Sequence, residues 1–233
     1  MSLYIPLDNE RVYFHNYHHR EIDPRIQGAR PAFFDVWMYS DAEWYLTIAE
    51  QWYSQEKAED PGYMSTYRDV EWTTAFFPLW PAVIRVVSEI FQIPLKVSAF
   101  ISAHILSIFA FYFFYQLVFL YFKDRDIAFR SLVLITIFPF SVFYNLFYSE
   151  SLFLLLSVLV FYFLKKDQPK HALSTSILAG LTRAVGVVTA VPIFFYYYGQ
   201  FQRAKNSGEL KARSYYTLLL SAAPFLGVGI LSV

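Results

Sequence analysis

The chain has 233 residues, of which 56% are hydrophobic, 21% aromatic and only 16% charged, too apolar and too poor in charge for an ordinary water-soluble domain. It has no cysteine, which excludes a disulfide framework and a thiolate metal site, so any metal would have to be held by carboxylate, imidazole or phosphate oxygen. The formal net charge of zero hides an asymmetry: residues 1–75 carry 13 Asp and Glu against 6 Lys and Arg, whereas residues 76–233 carry 6 against 13. An acidic polar head precedes a basic, apolar body.

Residues 1–34 are polar and lack helical or alternating periodicity, so they read as an extended arm. His15, His18 and His19 stand at spacings of three and four, which on a helix would offer two imidazoles to a metal. No helix signal supports such a face, and a solvated histidine tract is the better reading. No cationic stretch followed by an apolar core opens the chain, so neither a signal peptide nor an N-terminal anchor is expected in it.

Residues 35–75 form an acidic and aromatic segment. Within 41–53, Trp44, Ile48 and Trp52 repeat at four-residue spacing, which predicts a short helix with one apolar face and with Asp41, Glu43 and Glu50 pointing elsewhere. Tryptophan and tyrosine at this density belong at a membrane–water boundary. The helix is therefore expected to lie on the outer surface, with Ser40 or Asp41 as its N-terminal cap. Residues 54–74, containing Pro61-Gly62, read as a loop returning to the membrane.

Residues 76–233 read as a bundle of transmembrane helices, incomplete at the C-terminus. Residues 76–93 hold Pro78, Pro81 and an Arg85/Glu89 pair at i, i+4, so a short or tilted element near the interface suits them better than a full span. Residues 97–122 run 26 positions without a charge, long enough to span with tilt. Residues 127–145, with Arg130 near the start and Pro139 within, and residues 151–164 form a pair around Asn145–Glu150. Residues 172–198 are interrupted by Arg183 and Gly186, and 215–233 begin a last apolar segment.

Basic residues mark three connections: Lys123, Arg125 and Arg130; Lys165, Lys166 and Lys170; and Arg203, Lys205, Lys211 and Arg213. The connection 145–150 has none. Placing the basic connections in the cytoplasm puts 145–150 on the opposite face, together with the acidic head. In that scheme 172–198 enters and leaves on the cytoplasmic side as two short helices meeting around Thr182–Gly186. The alternative is one full span.

Three side chains carry candidate chemistry, each with a plainer account beside it. Arg183 lies in an apolar segment, where a guanidinium normally lines a cavity or meets an anion: a lipid-linked phosphate, or an acid such as Glu89 or Glu150. Glu150, in Tyr148-Ser149-Glu150-Ser151, either faces a ligand or marks a helix boundary at which Ser149 or Ser151 is the cap. Asp41 is a catalytic base or a helix cap.

Four ordered blocks carry a more specific signal: Asp41-Ala-Glu-Trp-Tyr-Leu-Thr-Ile-Ala49, Ala75-Phe-Phe-Pro-Leu-Trp-Pro81, Phe138-Pro-Phe140 through Tyr148 to Ser157, and Ala179-Gly-Leu-Thr-Arg-Ala-Val-Gly186. In order and approximate spacing they resemble the PIG-V-type mannosyltransferases, which include the second mannosyltransferase of GPI-anchor assembly and its bacterial and archaeal relatives. The resemblance covers roughly residues 35–200. The chain departs from the family pattern at Tyr39-Ser40 and at Trp52-Tyr53, and a helix that should precede the Asp41 loop is not found in 1–40. We therefore expect a fragment, with a partner subunit as one source of the missing helices.

The resemblance implies an all-α, multi-pass transmembrane bundle of the GT-C type with an external interfacial-helix loop. It implies inverting transfer of mannose from a polyprenyl- or dolichyl-phosphate carrier to a lipid-linked or glycan acceptor on the external or lumenal face. The membrane would be the plasma membrane of a prokaryote or the endoplasmic reticulum of a eukaryote. The family's acidic base falls on Asp41. Trp44, Tyr45, Tyr148 and Glu150 are expected to meet the sugar, and Arg183 the departing phosphate, from their charge and position. No cofactor is required, and a divalent cation is left open because no Asp-x-Asp pair stands near Asp41.

The competing class is a membrane transporter or a subunit that binds lipid or a partner. A transporter built on inverted repeats would show paired Gly- or Pro-broken helices in matching halves, and none are seen. Basic residues in short connections rather than in a patch with interleaved aromatics give no support to nucleic-acid binding. Phosphate loops of the G-x-G-x-x-G or G-x-x-x-x-G-K-[ST] kind are absent, which argues against nucleotide-driven chemistry.

Overall fold

A computed structural model describes residue 37 and residues 41–53, 75–206 and 221–225. The arm with His15, His18 and His19, the loop 54–74, Lys211 and Arg213, and most of 215–233 lie outside the described residues. Among the described residues every regular element is helical. In chain order these are α1 (Ala42–Gln51), α2 (Leu79–Phe91), α3 (Leu95–Phe122), α4 (Arg125–Ile137), α5 (Glu150–Lys165), α6 (Pro169–Thr182) and α7 (Ala190–Asn206). Short 3₁₀ turns cover Pro139–Tyr144 and Ala184–Thr189.

Proline and capping chemistry set several boundaries. Pro78 and Pro81 fall at the cap and in the first turn of α2, where backbone N–H groups have no intrahelical partner and their loss is tolerated. At 13 residues α2 is about 20 Å long, short of the ~30 Å of a hydrocarbon core. The expected Arg85–Glu89 pair is present, Arg85 Nε donating to Glu89 Oε1 at 2.8 Å. The Asp124 carboxylate caps α4, accepting from the amides of Asp126 at 2.7 Å and Ile127 at 3.2 Å.

One expectation is corrected at Pro139. The segment 127–145 is not one helix with an internal proline: α4 stops at Ile137 and the chain continues as the 3₁₀ turn. The ring of Pro139 disfavours helical backbone at the residue before it, and Phe138 is extended, with φ −62° and ψ 134°.

α3 is apolar around its whole circumference. Its small residues Ser98, Ala99, Ser102 and Ala103 are buried, while Ile101, Ile105, Ile108 and Phe109 are exposed. Small residues at four-residue spacing let a neighbouring backbone approach closely, as in membrane helix pairs. α3 and the segment Ala184–Asn206 are each long and apolar enough to cross a membrane.

Contacts along the helices give their directions. Ser107 Oγ donates to the Tyr144 carbonyl, Phe113 meets Tyr162 edge-on at 5.4 Å, and the Lys165 ammonium sits 4.4 Å from the Tyr121 ring. α3 and α5 therefore run parallel. α6 returns from α5 through the turn Lys166–Gln168, and α7 runs back beside α6, since Ser176 Oγ lies 2.5 Å from Thr189 Oγ1 and Tyr196 donates to Asp167. Of the two arrangements open for 172–198, the chain adopts the broken one: α6 ends at Thr182, Arg183 is extended at φ −157° and ψ 150°, and the chain reverses.

This path segregates charge. Lys123, Arg125, Lys165, Lys166, Lys170, Arg203 and Lys205 belong to the end of the bundle where α3, α5 and α7 finish and where α4 and α6 begin. Residues 145–150 and Arg183 stand at the other end. There Trp80, fully buried, donates its indole N–H to the Phe147 carbonyl at 3.0 Å, tying the start of α2 to the connection before α5. Trp80→Phe should cost about 1 kcal/mol through that hydrogen bond, checked by thermal unfolding in detergent.

Candidate active site

The helical hairpin α5–α6 builds the charged centre. α5 has 16 residues and α6 has 14, so at about 1.5 Å per residue the two are nearly equal in length and their open ends come level. Glu150, the first residue of α5, is thereby set beside Arg183, the C-cap of α6, and the guanidinium Nη1 donates to Glu150 Oε1. Both positions suit their charge: an anion at a helix N-terminus and a cation at a C-terminus are each favoured by the helix dipole. Arg183 is 37% exposed and Glu150 26%, so solvent screens the pair, and its contribution to stability is only about 0–1 kcal/mol.

The backbone beneath Arg183 is tightly held. The Arg183 amide donates to the Ala179 carbonyl at 3.2 Å, and the Gly186 amide donates to the Arg183 carbonyl at 2.8 Å. Gly186 lies so close to α6 that a Cβ there would fall 2.1 Å from the Ala179 oxygen. The glycine thus permits the reversal that presents the arginine.

α1 brings the second acid to this end. Asp41 occupies the N-cap position, as expected, but its carboxylate makes no capping hydrogen bond and the residue is exposed. The predicted apolar face of α1 is corrected: the buried residues are Ala42, Tyr45, Leu46, Ile48 and Ala49, while Trp52 is 43% exposed and Trp44 half-buried. Small Ala42 and Ala49 permit close docking on α2 and α3, and the bulkier indoles turn to the margin of that contact. Trp44 stacks on Phe76 at 6.0 Å, and Tyr45 meets the same ring edge-on at 5.1 Å.

The Tyr45 hydroxyl lies 3.0 Å from Ser149 Oγ in a buried hydrogen bond, which joins α1 to the residue before Glu150. The Ser149 side chain makes no capping bond, so the capping role considered for it is replaced by this tie to α1. Burial raises the pKa of the Tyr45 phenol, which is also lowered by the Ser149 hydrogen bond, raised by Glu150, lowered by Arg183 and raised by Asp41. Asp41 and Tyr45 act electrostatically on Arg183 as well. Asp41, Tyr45, Glu150 and Arg183 therefore share one electrostatic neighbourhood. Tyr148 is buried and stacks on Phe143 at 5.8 Å.

The shifted phenol gives a pH prediction. Its folded pKa exceeds the unfolded value of 10.0, so its contribution to stability is complete below that pH and is lost as pH rises through the folded value. Thermal unfolding at stepped pH should show the wild type losing more stability above pH 10.0 than Tyr45→Phe.

A cavity of about 350 Å³ adjoins the ion pair, lined by Tyr144, Glu150, Phe153, Leu154, Ser157, Arg183 and Val185. Five of these, Tyr144, Phe153, Leu154, Ser157 and Val185, are not among the site residues expected from the sequence, although all fall within the third and fourth motif blocks. Glu150, Phe153, Leu154 and Ser157 stand at i, i+3, i+4 and i+7, one helix face, a pattern legible once α5 is known to start at Glu150. Asp41, Trp44, Tyr45 and Tyr148 are not lining residues of this cavity. Among the described residues no group of three His, Asp or Glu side chains is placed to hold a metal ion.

Residues 32–233 match the family model described as mannosyltransferase (PIG-V). No curated protein and no solved structure matches the chain.

Proposed function

Because the chain belongs to the mannosyltransferase (PIG-V) family, we propose that it transfers a mannose-type sugar, with inversion, from a polyprenyl- or dolichyl-phosphate carrier to a lipid-linked or glycan acceptor. The Asp41 carboxylate accepts the proton of the acceptor hydroxyl as that oxygen bonds to the anomeric carbon. The bond from the anomeric carbon to the phosphate oxygen breaks on the opposite face, and its electron pair leaves with the phosphate. Arg183 stabilises the charge that develops there. The displacement parallels the base half of an inverting glycosidase, with a sugar hydroxyl in place of water. Trp44 offers the sugar a partly exposed indole, Glu150 orients sugar hydroxyls, and the largely buried Tyr45 and Tyr148 each reach the site through a polar edge.

The observation that carries this reading is the Arg183–Glu150 ion pair, with Asp41 acting electrostatically on the same guanidinium, at the end of the bundle opposite the basic connections around Lys123, Lys165 and Arg203. With the basic connections in the cytoplasm, that end faces the external or lumenal side of a multi-pass, GT-C-like bundle. The test is a membrane assay with radiolabelled lipid-phosphate sugars, run over a panel of donors. Mannose should move from a polyprenyl phosphate; binding of the donor without turnover would instead leave a lipid-binding subunit.

A further inference from the structure

We propose that Glu150 is a built-in competitor for the donor phosphate: its carboxylate occupies Arg183 when the site is empty, and the phosphate of a prenyl-phosphate lipid entering the adjoining cavity displaces it. This rests on the reading above, in which Arg183 meets the phosphate. The two charges are not remote from the cavity but part of its lining, beside the apolar side chains of Phe153, Leu154 and Val185. A monophosphate carrying a hydrocarbon chain fits that lining, the chain against the apolar wall and the anion at the guanidinium.

The exchange is physically easy in this geometry. The pair is partly exposed and screened, so little is lost when it parts. Arg183 need not move its backbone, which is anchored through Ala179 and Gly186. The released carboxylate stays at the N-terminus of α5, where the helix dipole still favours an anion. The donor phosphate, esterified to both carrier and sugar, carries one negative charge as a carboxylate does, but it offers two oxygens to the guanidinium fork and brings a hydrocarbon chain that the apolar wall receives, so it is the stronger ligand. Displacement frees Glu150 to accept hydrogen bonds from sugar hydroxyls only once the donor is seated, which couples donor binding to assembly of the site.

The opposite role for Glu150, a strut that aims Arg183 at the phosphate, predicts the opposite sign. Purified protein in detergent should be titrated with farnesyl monophosphate, farnesol and inorganic phosphate. Glu150→Gln should bind farnesyl monophosphate about two- to fivefold more tightly than wild type, the gain that releasing a screened ion pair provides. Farnesol binding should not change, and Arg183→Gln should bind the phosphate no better than the alcohol. Inorganic phosphate should gain by the same factor in Glu150→Gln yet bind more weakly than the prenyl phosphate throughout, because it leaves the apolar wall unused. Equal affinities for the two phosphates would overturn the lipid assignment. Unchanged or weaker phosphate binding in Glu150→Gln would overturn competition, and if that variant does not fold, Glu150→Asp decides by the same criterion. These titrations read binding without turnover, so a wild type that binds but transfers no sugar would sink the proposed function and leave this inference standing.

Discussion

Asp41→Asn should lower sugar transfer by about 10²–10⁴-fold, the range over which a positioned general base acts, while the protein still inserts and binds donor. The amide keeps the size and the N-cap position of the residue but cannot take a proton from an acceptor hydroxyl. Because the Asp41 side chain makes no capping hydrogen bond, the substitution removes no such bond from α1. The loss should therefore appear in turnover rather than in folding. The measurement is initial rate with radiolabelled donor in washed membranes, set against the amount of inserted protein. Turnover near the wild-type rate would remove Asp41 from the mechanism.

Gly186→Ala should destabilise the protein by roughly 3 kcal/mol, the upper part of the range for overpacking. The added methyl would meet backbone atoms of α6, 2.1 Å from the Ala179 oxygen and 2.6 Å from the Gly180 nitrogen, and backbone has no rotamer by which to move aside. Either α6 and the Ala184–Thr189 turn separate or the reversal at Arg183 reshapes, and both displace the guanidinium from Glu150. Stability and transfer should fall together. Gly199→Ala is the matched control, since nothing lies within 4 Å of a Cβ there. Gly199 sits within α7, so alanine should raise stability by up to about 1 kcal/mol through helix propensity. Thermal unfolding of the two variants side by side checks both, and a Gly186→Ala protein as stable as wild type would contradict the close packing described.

Local chemistry was legible in the amino-acid order. The apolar composition, the charge-free run that became α3 and the Arg85–Glu89 pair all follow from neighbours within a turn or two, whereas the break between Thr182 and Gly186 was one of two arrangements left open until the fold chose it. The four motif blocks named the family before any coordinate was known. What periodicity misjudged was part of a face: of Trp44, Ile48 and Trp52 at four-residue spacing only Ile48 is fully buried, and α1 buries Ala42, Tyr45 and Ala49 beside it because small side chains allow its docking on α2 and α3. Burial depends on what the neighbouring helix offers, and hydrophobicity alone does not contain it. Pro139 was likewise visible in the chain, but that it ended α4 instead of kinking it was settled by the extended backbone at Phe138.

The choice of partner for Arg183 belonged to tertiary structure. Glu89 and Glu150 were equivalent candidates by charge, and the decision came from the nearly matched lengths of α5 and α6, which level their open ends and bring residues 150 and 183 together. The cavity beside the pair arises in the same way, from one face of α5 meeting the reversal at Val185. Sequence by itself determined the helical class and the family, and made the candidate charged residues visible, because these are properties of residues and short spacings. Only the fold decided which charges meet, since that depends on helix length, direction and close approach between residues 33 positions apart in the chain.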